Sequence, residues 1–358
     1  MDVLIAVIKI VCALIWFLTL TLYLTWLERK ESAVIQDRVG ANRANILGLR
    51  LIGLFQPFAD AIKMIFKEDF VPPFANRFLH TIAPFLSFFF VAITIAAIPF
   101  GDTLIIGGRS INLQILDLNA GLLFILAMLS LGIYGIIISG WASHNRFTLL
   151  GSMRGAAQLI SYEVALGLSL IGVIMVYPSL RLQTIVAFQG ENLFGWIPRW
   201  GILLQPLGFL VFFFAALAET KRVPFDLPEG ESEIIGFFTE YGGLKWGLFM
   251  MTDFMEIIVV SCLVTTLFFG GWQVPWMAAD GFHFPWGGTW LLPHGVVVLF
   301  QLAAFNLKVF FFCWLQILIR WTYPRFRYDQ LMDLGWKLLI PLSLVNIVGT
   351  GVIMGIVK

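Results

Sequence analysis

Long apolar runs separated by short polar ones dominate the chain. A helix that spans a bilayer needs about 20 mostly apolar residues. Eight stretches meet that need, roughly 3–27, 79–100, 117–141, 156–177, 203–220, 244–271, 293–320 and 334–357. Helix is the only conformation open to them, because hydrocarbon offers no partner to an unpaired backbone group. The expected fold is an all-α integral membrane protein of about eight transmembrane helices, with 1–358 forming a single polytopic membrane domain. A further stretch at 46–66 is apolar but interrupted by Arg50, Gln56, Pro57, Asp60 and Lys63. It is too polar to span comfortably and predicts an amphipathic helix on the cytoplasmic side, broken near Pro57. Residues 3–27 have no basic segment before them and no small-residue cleavage site after them, which predicts a retained first span.

Composition agrees with this pattern. The residues are 59% hydrophobic and 13% charged, against about 25% charged in a soluble domain, so lipid must cover part of the surface. The net charge of +1 and the lack of a basic run exclude nucleic acid as an expected partner. Seventeen of the 23 Lys and Arg fall in the first, third, fifth and seventh loops or at their edges; the loops between hold only Arg109, Arg181 and Arg199. That bias places the odd loops in the cytoplasm or matrix and both termini outside. The bacterial cell inner membrane is the expected location, although topology alone fits the mitochondrial inner membrane equally well. Cys12, Cys262 and Cys313 lie in apolar stretches, and the four histidines are scattered. No ligand spacing for haem, iron–sulfur or zinc is present, so this chain is expected to bind no metal and no redox cofactor of its own.

The informative residues are acids placed where water is scarce. An ionisable group inside an apolar span is costly and is a functional candidate by default. Glu163 lies in the fourth span, Glu219 closes the fifth, and Asp253 and Glu256 sit at i and i+3 in the sixth. Lys308, in the seventh, reads as a snorkelling or pairing lysine. The segment AETKRVPFDLPEGESEIIGFFTEY, starting at Ala218, adds Asp226, Glu229, Glu231, Glu233 and Glu240. Pro224 and Pro228 exclude a regular helix there. A loop made for water would not interleave acids with Val223, Phe225, Leu227, Ile234, Ile235, Phe237 and Phe238. Crowded carboxylates at low dielectric cannot all ionise, and such a row can hold and pass protons. The first cytoplasmic loop offers Arg29, Lys30, Gln36, Arg38 and Asp60 beside Phe55 and Phe58. These are the parts of an apolar cleft for an amphiphilic ligand, although the arginines also suit topology-setting charge alone.

At these residues the chain resembles a known family, the H subunit of bacterial NADH–quinone oxidoreductase, equivalent to subunit 1 of mitochondrial complex I. The resemblance runs nearly end to end. It rests on ERK at 28–30, QDRVGANR at 36–43, LFQPFADAIK at 54–63, RGAAQLISYE at 154–163, AETKRVPFDLPEGESE at 218–233, EY at 240–241 and YPRFRYDQLMDLGWKLLIP at 323–341. It implies eight spans and a place where the membrane arm meets the hydrophilic arm of the complex. It also implies a quinone entrance and tunnel, and the start of a carboxylate line that couples quinone reduction to proton pumping. Glu28 and Arg29 match the entrance, and Gln36, Arg38, Asp60, Arg222, Phe225 and Asp226 match the tunnel or its mouth. Glu163, Glu219, Glu229, Glu231, Glu233, Glu240 and Asp253 match the acidic relay. No catalytic redox centre is implied in this chain; flavin and iron–sulfur clusters are expected in partner subunits, with membrane quinone as substrate.

Three departures from the family pattern stand out. Gly40-Ala41-Asn42-Arg43 has alanine in place of the usual proline. Asp253-Phe254 stands where the family has Glu-Tyr, and the segment between Glu233 and Glu240 is one residue short. In a helix that deletion turns the downstream residues by about 100°. A related energy-converting hydrogenase or formate hydrogenlyase remains an alternative, with the electron donor open between NADH, ferredoxin and a deazaflavin. An independent transporter would show a midplane site and repeats, and neither is legible; a mere anchor would not explain acids held in lipid.

Overall fold

The computed structural model describes residues 2–357 apart from 107, 194, 231–233 and 235. The helices are α1 (Asp2–Ile35), α2 (Gln56–Phe66), α3 (Arg77–Thr94), α4 (Gly121–Ala142), α5 (Arg146–Val176), α6 (Leu182–Gln189), α7 (Gly201–Leu204), α8 (Pro206–Glu219), α9 (Gly243–Phe268), α10 (His294–Thr322), α11 (Tyr328–Asp333) and α12 (Ile340–Val357). A π-helical turn, Leu334–Leu339, joins the last two. Short antiparallel strands decorate the loops: Thr103–Ile106 with Arg109–Asn112, Asn192–Leu193 with Ile197–Pro198, and a three-stranded ribbon of Met277–Ala278, Gly281–His283 and Thr289–Leu291. The all-α membrane class is as expected. Seven helical segments among the described residues are long and apolar enough to cross a membrane, and the eighth, Pro206–Glu219, is shorter. Its shortness follows from Gln205-Pro206: proline lacks an N–H and favours a helix start, so α7 stops at Leu204 and α8 begins anew.

The amphipathic helix is also present, but only over Gln56–Phe66. Pro57 sits in its first turn instead of breaking it. Residues 46–55 form an Ile46–Leu49 bridge and a single 3-10 turn, with Leu47, Leu51 and Ile52 in the left-handed region that excludes a continuous helix.

Helix α9 is the centre of the bundle. Its residues are apolar around the whole circumference, as in a helix packed on all sides, and from Thr252 to Phe268 every one is buried. Phe212, Val259, Leu263, Phe268 and Phe305 pack in the core between α8, α9 and α10. Small residues bring helices close. A Cβ on Gly135 of α4 would stand 2.0 Å from Ser87 Oγ and 2.8 Å from the Ala83 carbonyl of α3.

Two helices overrun the bilayer. At 1.5 Å per residue α1 is about 51 Å long and α5 about 46 Å. Each therefore carries candidate site residues past the apolar slab on a rigid rod. On α5, Gly151, Gly155, Gln158 and Tyr162 share one face. Gly155 leaves room for Pro228, whose Cγ would lie 2.9 Å from an added Cβ. Gln158 Nε2 donates to the carbonyls of Ala218 and Phe225, each at 2.7 Å. This face clamps the α8–α9 loop against the bundle.

Candidate functional site

The acids of the interior gather around that clamped loop, where Lys221, Arg222, Phe225, Asp226 and Leu227 are all buried. Lys221 adopts φ 55°, a left-handed conformation that costs a side-chain-bearing residue roughly 1–2 kcal/mol. Its amine explains why lysine is held there. Nζ lies 2.8 Å from Glu256 Oε1 and 3.2 Å from Asp253 Oδ1. The i, i+3 spacing of the two acids on α9 lets one cation meet both. Burial opposes the charge on Lys221, but the carboxylates of Glu256 and Asp253 outweigh it and hold the amine protonated.

Arg222 turns to the other side. Its Nη1 lies 2.7 Å from Glu28 Oε2 on α1, and its guanidinium stacks 3.8 Å from the centre of the Phe254 ring. Arg320 of α10 approaches the second Glu28 oxygen at 2.5 Å. Asp226 pairs with Arg325 at 2.7 Å, while its Oδ1 is buried with no hydrogen-bond partner among the described residues. Burial pushes Asp226 up to about 6, against the pull of Arg325 and Arg320. Glu229 is hydrogen-bonded to Asp253. Burial, then the charges of Asp253 and Asp226, push Glu229 well above the usual carboxylate range. The protonated form of Glu229 is thus favoured, and it is the one that can donate to Asp253.

Glu163, Glu219, Lys221 and Glu256 line a cavity of about 10 Å³, close to the least that holds one water. Glu163 accepts from the Ser130 hydroxyl, and Glu219 Oε2 is buried with no hydrogen-bond partner among the described residues. Glu240 stands apart from this cluster. Asn145 donates to its carboxylate at 2.7 Å, and its backbone carbonyl faces His80 Nε2 at 3.2 Å. The adjacent Tyr241 stacks on the His80 ring at 3.9 Å. Glu231 and Glu233 lie outside the described residues.

The residues expected around an amphiphilic ligand fall into three groups. Glu28, Arg222, Phe225 and Asp226 belong to the buried network. The Phe225 ring packs 5.8 Å from Tyr162 and 5.5 Å from Phe326. Arg29 and Asp60 pair at 2.5 Å and line a cavity of about 360 Å³ between α1, α2 and the start of α9. Gln36 accepts from Arg38 Nε at 2.7 Å on the exposed turn after α1.

Sequence reasoning marked Glu256 as an acid inside a span but gave it no place in the relay, and it did not assign Lys221, Arg320 or Arg325 to the site. Lys221 had a visible signal, a lysine beside the acids; the arginines were indistinguishable from topology-setting charge. Glu31 was also passed over. It lies one turn beyond Glu28 on the same face of α1, buried, with neither carboxyl oxygen hydrogen-bonded among the described residues. Lys308 proves to be neither snorkelling nor acid-paired among the described residues: Nζ donates to the carbonyls of Phe269, Gly271 and Gln273 at 2.7–3.0 Å, satisfying the end of α9.

Fold and site together define a polytopic helical membrane protein with a buried line of carboxylates and cations. Residues 8–351 match the family model described as NADH dehydrogenase, and the chain belongs to that family. It is 46% identical over 357 residues to an NADH-quinone oxidoreductase H subunit of Geobacter metallireducens, covering 99% of this chain and 98% of the relative. It is 47% identical over 342 residues to one from Geobacter sulfurreducens (95% and 94% covered) and 46% over 340 residues to one from Thermomicrobium roseum (94% and 92%).

Proposed function

We propose that this chain is a membrane subunit of a proton-translocating NADH–quinone oxidoreductase. It forms the quinone entrance and tunnel and holds the first carboxylates of the proton-coupling relay, in one membrane domain. The observation that carries the reading is the close packing of buried acids: Glu229 bonds Asp253, Asp253 and Glu256 share Lys221, and Glu256, Glu219 and Glu163 line one small cavity. A structural anchor would not concentrate such costly groups in one place. The family match and the relatives from Geobacter support the same reading.

The chemistry assigned to this chain is guidance and proton transfer. Flavin and iron–sulfur clusters held by partner subunits would supply the electrons, and no residue of this chain carries them. A quinone enters from the bilayer past the Arg29–Asp60 pair, its apolar tail matched by neighbouring apolar side chains. Its headgroup accepts two electrons and two protons to become quinol. Each proton withdrawn, or charge developed, near Asp226 alters the field on Glu229. Glu229 shares a hydrogen bond with Asp253, so a proton lost or gained there changes what Lys221 must balance between Asp253 and Glu256. The disturbance then reaches Glu219 and Glu163 across a gap that one water can bridge. Glu231, Glu233 and Glu240 continue the relay along the second half of the loop, and Gln36 and Arg38 border the tunnel mouth.

The test is quinone reduction and proton pumping by the assembled complex in vesicles. Asp60→Ala should impair quinone reduction, and Glu229→Gln should weaken pumping per quinone reduced, with assembly intact. Two assembled variants that reduce quinone and pump as the unaltered complex does would sink the assignment.

A further inference from the structure

The cavity beside α2 carries more positive charge than a guide for a neutral quinone needs. Arg29, Lys63 and Lys67 line it with a single carboxylate, Asp60, which Arg29 already holds at 2.5 Å. Lys63 and Lys67 are exposed, and among the described residues no ion pair engages either amine. The far wall is Tyr241, Gly242, Gly243 and Trp246, so the N-terminal end of the 26-residue α9, with its positive dipole end, forms part of it. On the opposite face of α2 Ile62, Ile65 and Phe66, and at the start of α9 Leu244, expose 52–84% of their surface, an apolar apron that water does not favour. All these residues lie on the arginine- and lysine-rich side of the chain.

Cations above an apolar apron, at the depth where a span meets an amphipathic helix, are the chemistry of an anionic lipid headgroup site. We propose that this cavity binds the phosphate headgroup of an anionic phospholipid, with Lys63 and Lys67 on the phosphate and the acyl chains over Ile62, Ile65, Phe66 and Leu244. Trp246, half-buried at the cavity wall, has the amphipathic ring that settles at headgroup level. A neutral or zwitterionic lipid would leave the two lysines without a counter-charge. A soluble acidic peptide would leave the apolar apron in water. The bound lipid stands at the flank of the Arg29–Asp60 pair and would form one jamb of the proposed quinone entrance, but its binding does not depend on quinone passing there.

Because each lysine near an anionic surface contributes about 1 kcal/mol, losing one should weaken binding about fivefold, and losing both about thirtyfold. The assembled complex, stripped of lipid in detergent, would be titrated with phosphatidylglycerol and separately with phosphatidylcholine, with retained lipid counted by native mass spectrometry. Phosphatidylglycerol should be retained in preference to phosphatidylcholine. Lys63→Gln/Lys67→Gln should abolish the preference, and Lys63→Arg/Lys67→Arg should preserve it. Equal retention of the two lipids by the unaltered complex would overturn the proposal. So would a preference unchanged in the glutamine variant, or displacement of phosphatidylglycerol by millimolar inorganic phosphate, which would mark a free-anion site. The result is separable from the quinone reading: Asp60→Ala tests quinone reduction with both lysines in place, and the lipid count is made without turnover.

Discussion

Replacing Lys221 with methionine is the sharpest perturbation of the buried network. Methionine keeps the length and apolar stem of the side chain and removes only the charge. Lys221, Asp253 and Glu256 expose 4%, 7% and 10% of their side chains, so solvent screening is slight. Removing one partner of a buried pair costs about 3–5 kcal/mol, because the opposite charge stays behind without compensation. Here two carboxylates are left, and the left-handed backbone at position 221 persists without the ion pairs that offset it. The cheapest relief is uptake of about one proton by the Asp253–Glu256 pair, since like charges at that spacing cannot both be sustained at low dielectric. Infrared spectroscopy of the purified complex at pH 7 should show a new protonated-carboxyl stretch. Unfolding by heat in detergent should be shifted to match a loss of about 3 kcal/mol, and proton pumping per quinone reduced should fall. Lys221→Arg should restore most of all three, because a guanidinium can still reach both acids. An unchanged carboxyl spectrum, with unfolding within about 0.5 kcal/mol of the unaltered protein, would refute the argument that Lys221 neutralises the pair.

Further outcomes come from neighbouring contacts. Asp226, pushed up to about 6, should be protonated below that pH and ionised above it. A carboxyl band removed by Asp226→Asn should therefore be present at pH 5 and nearly absent by pH 7.5. The raised value means the folded state holds the proton more tightly than the unfolded chain, so this group's contribution to stability declines as pH climbs from about 4 to about 6. Glu229, raised by burial and by Asp253, should supply a protonated-carboxyl signal that persists to higher pH than an ordinary carboxyl's and disappears in Glu229→Gln; a signal unaltered by that change would count against the relay. Gly135→Ala puts a methyl 2.0 Å from Ser87 Oγ and should destabilise the α3–α4 pair by about 1–3 kcal/mol, read as a lower unfolding midpoint; Gly135→Ala/Ser87→Gly should recover part of it. Tyr162→Phe removes the 2.7 Å hydrogen bond to the Leu331 carbonyl and should cost about 1 kcal/mol, with no change in pumping per quinone.

The membrane class was legible because a bilayer imposes a length and a polarity that few sequences satisfy by accident. The same logic singled out Glu163, Glu219, Asp253 and Glu256 as acids in a place where they must be compensated. It could not supply the compensation. Glu28 meets Arg222 across a sequence separation of 194 residues, and Arg320 and Arg325 look in the sequence like any lysine- or arginine-rich loop edge. Helix ends were legible only in part. Pro57 reads in the sequence as a break and the span 203–220 runs straight through Pro206, but backbone context makes each of them a helix start.

Residue order alone commits the chain to lipid as a set of helices, marks which acids are expensive to keep there, and carries the motifs of the family. The packed fold sets which cation answers which acid. It drew the 221–230 loop into the bundle, joined Glu229 to Asp253 and left Glu240 beside Asn145 and His80. The reason is physical: hydrophobic burial depends on local runs of side chains and is written along the chain, whereas electrostatic pairing depends on distances of a few ångströms between residues remote in sequence, which exist only once the helices have packed.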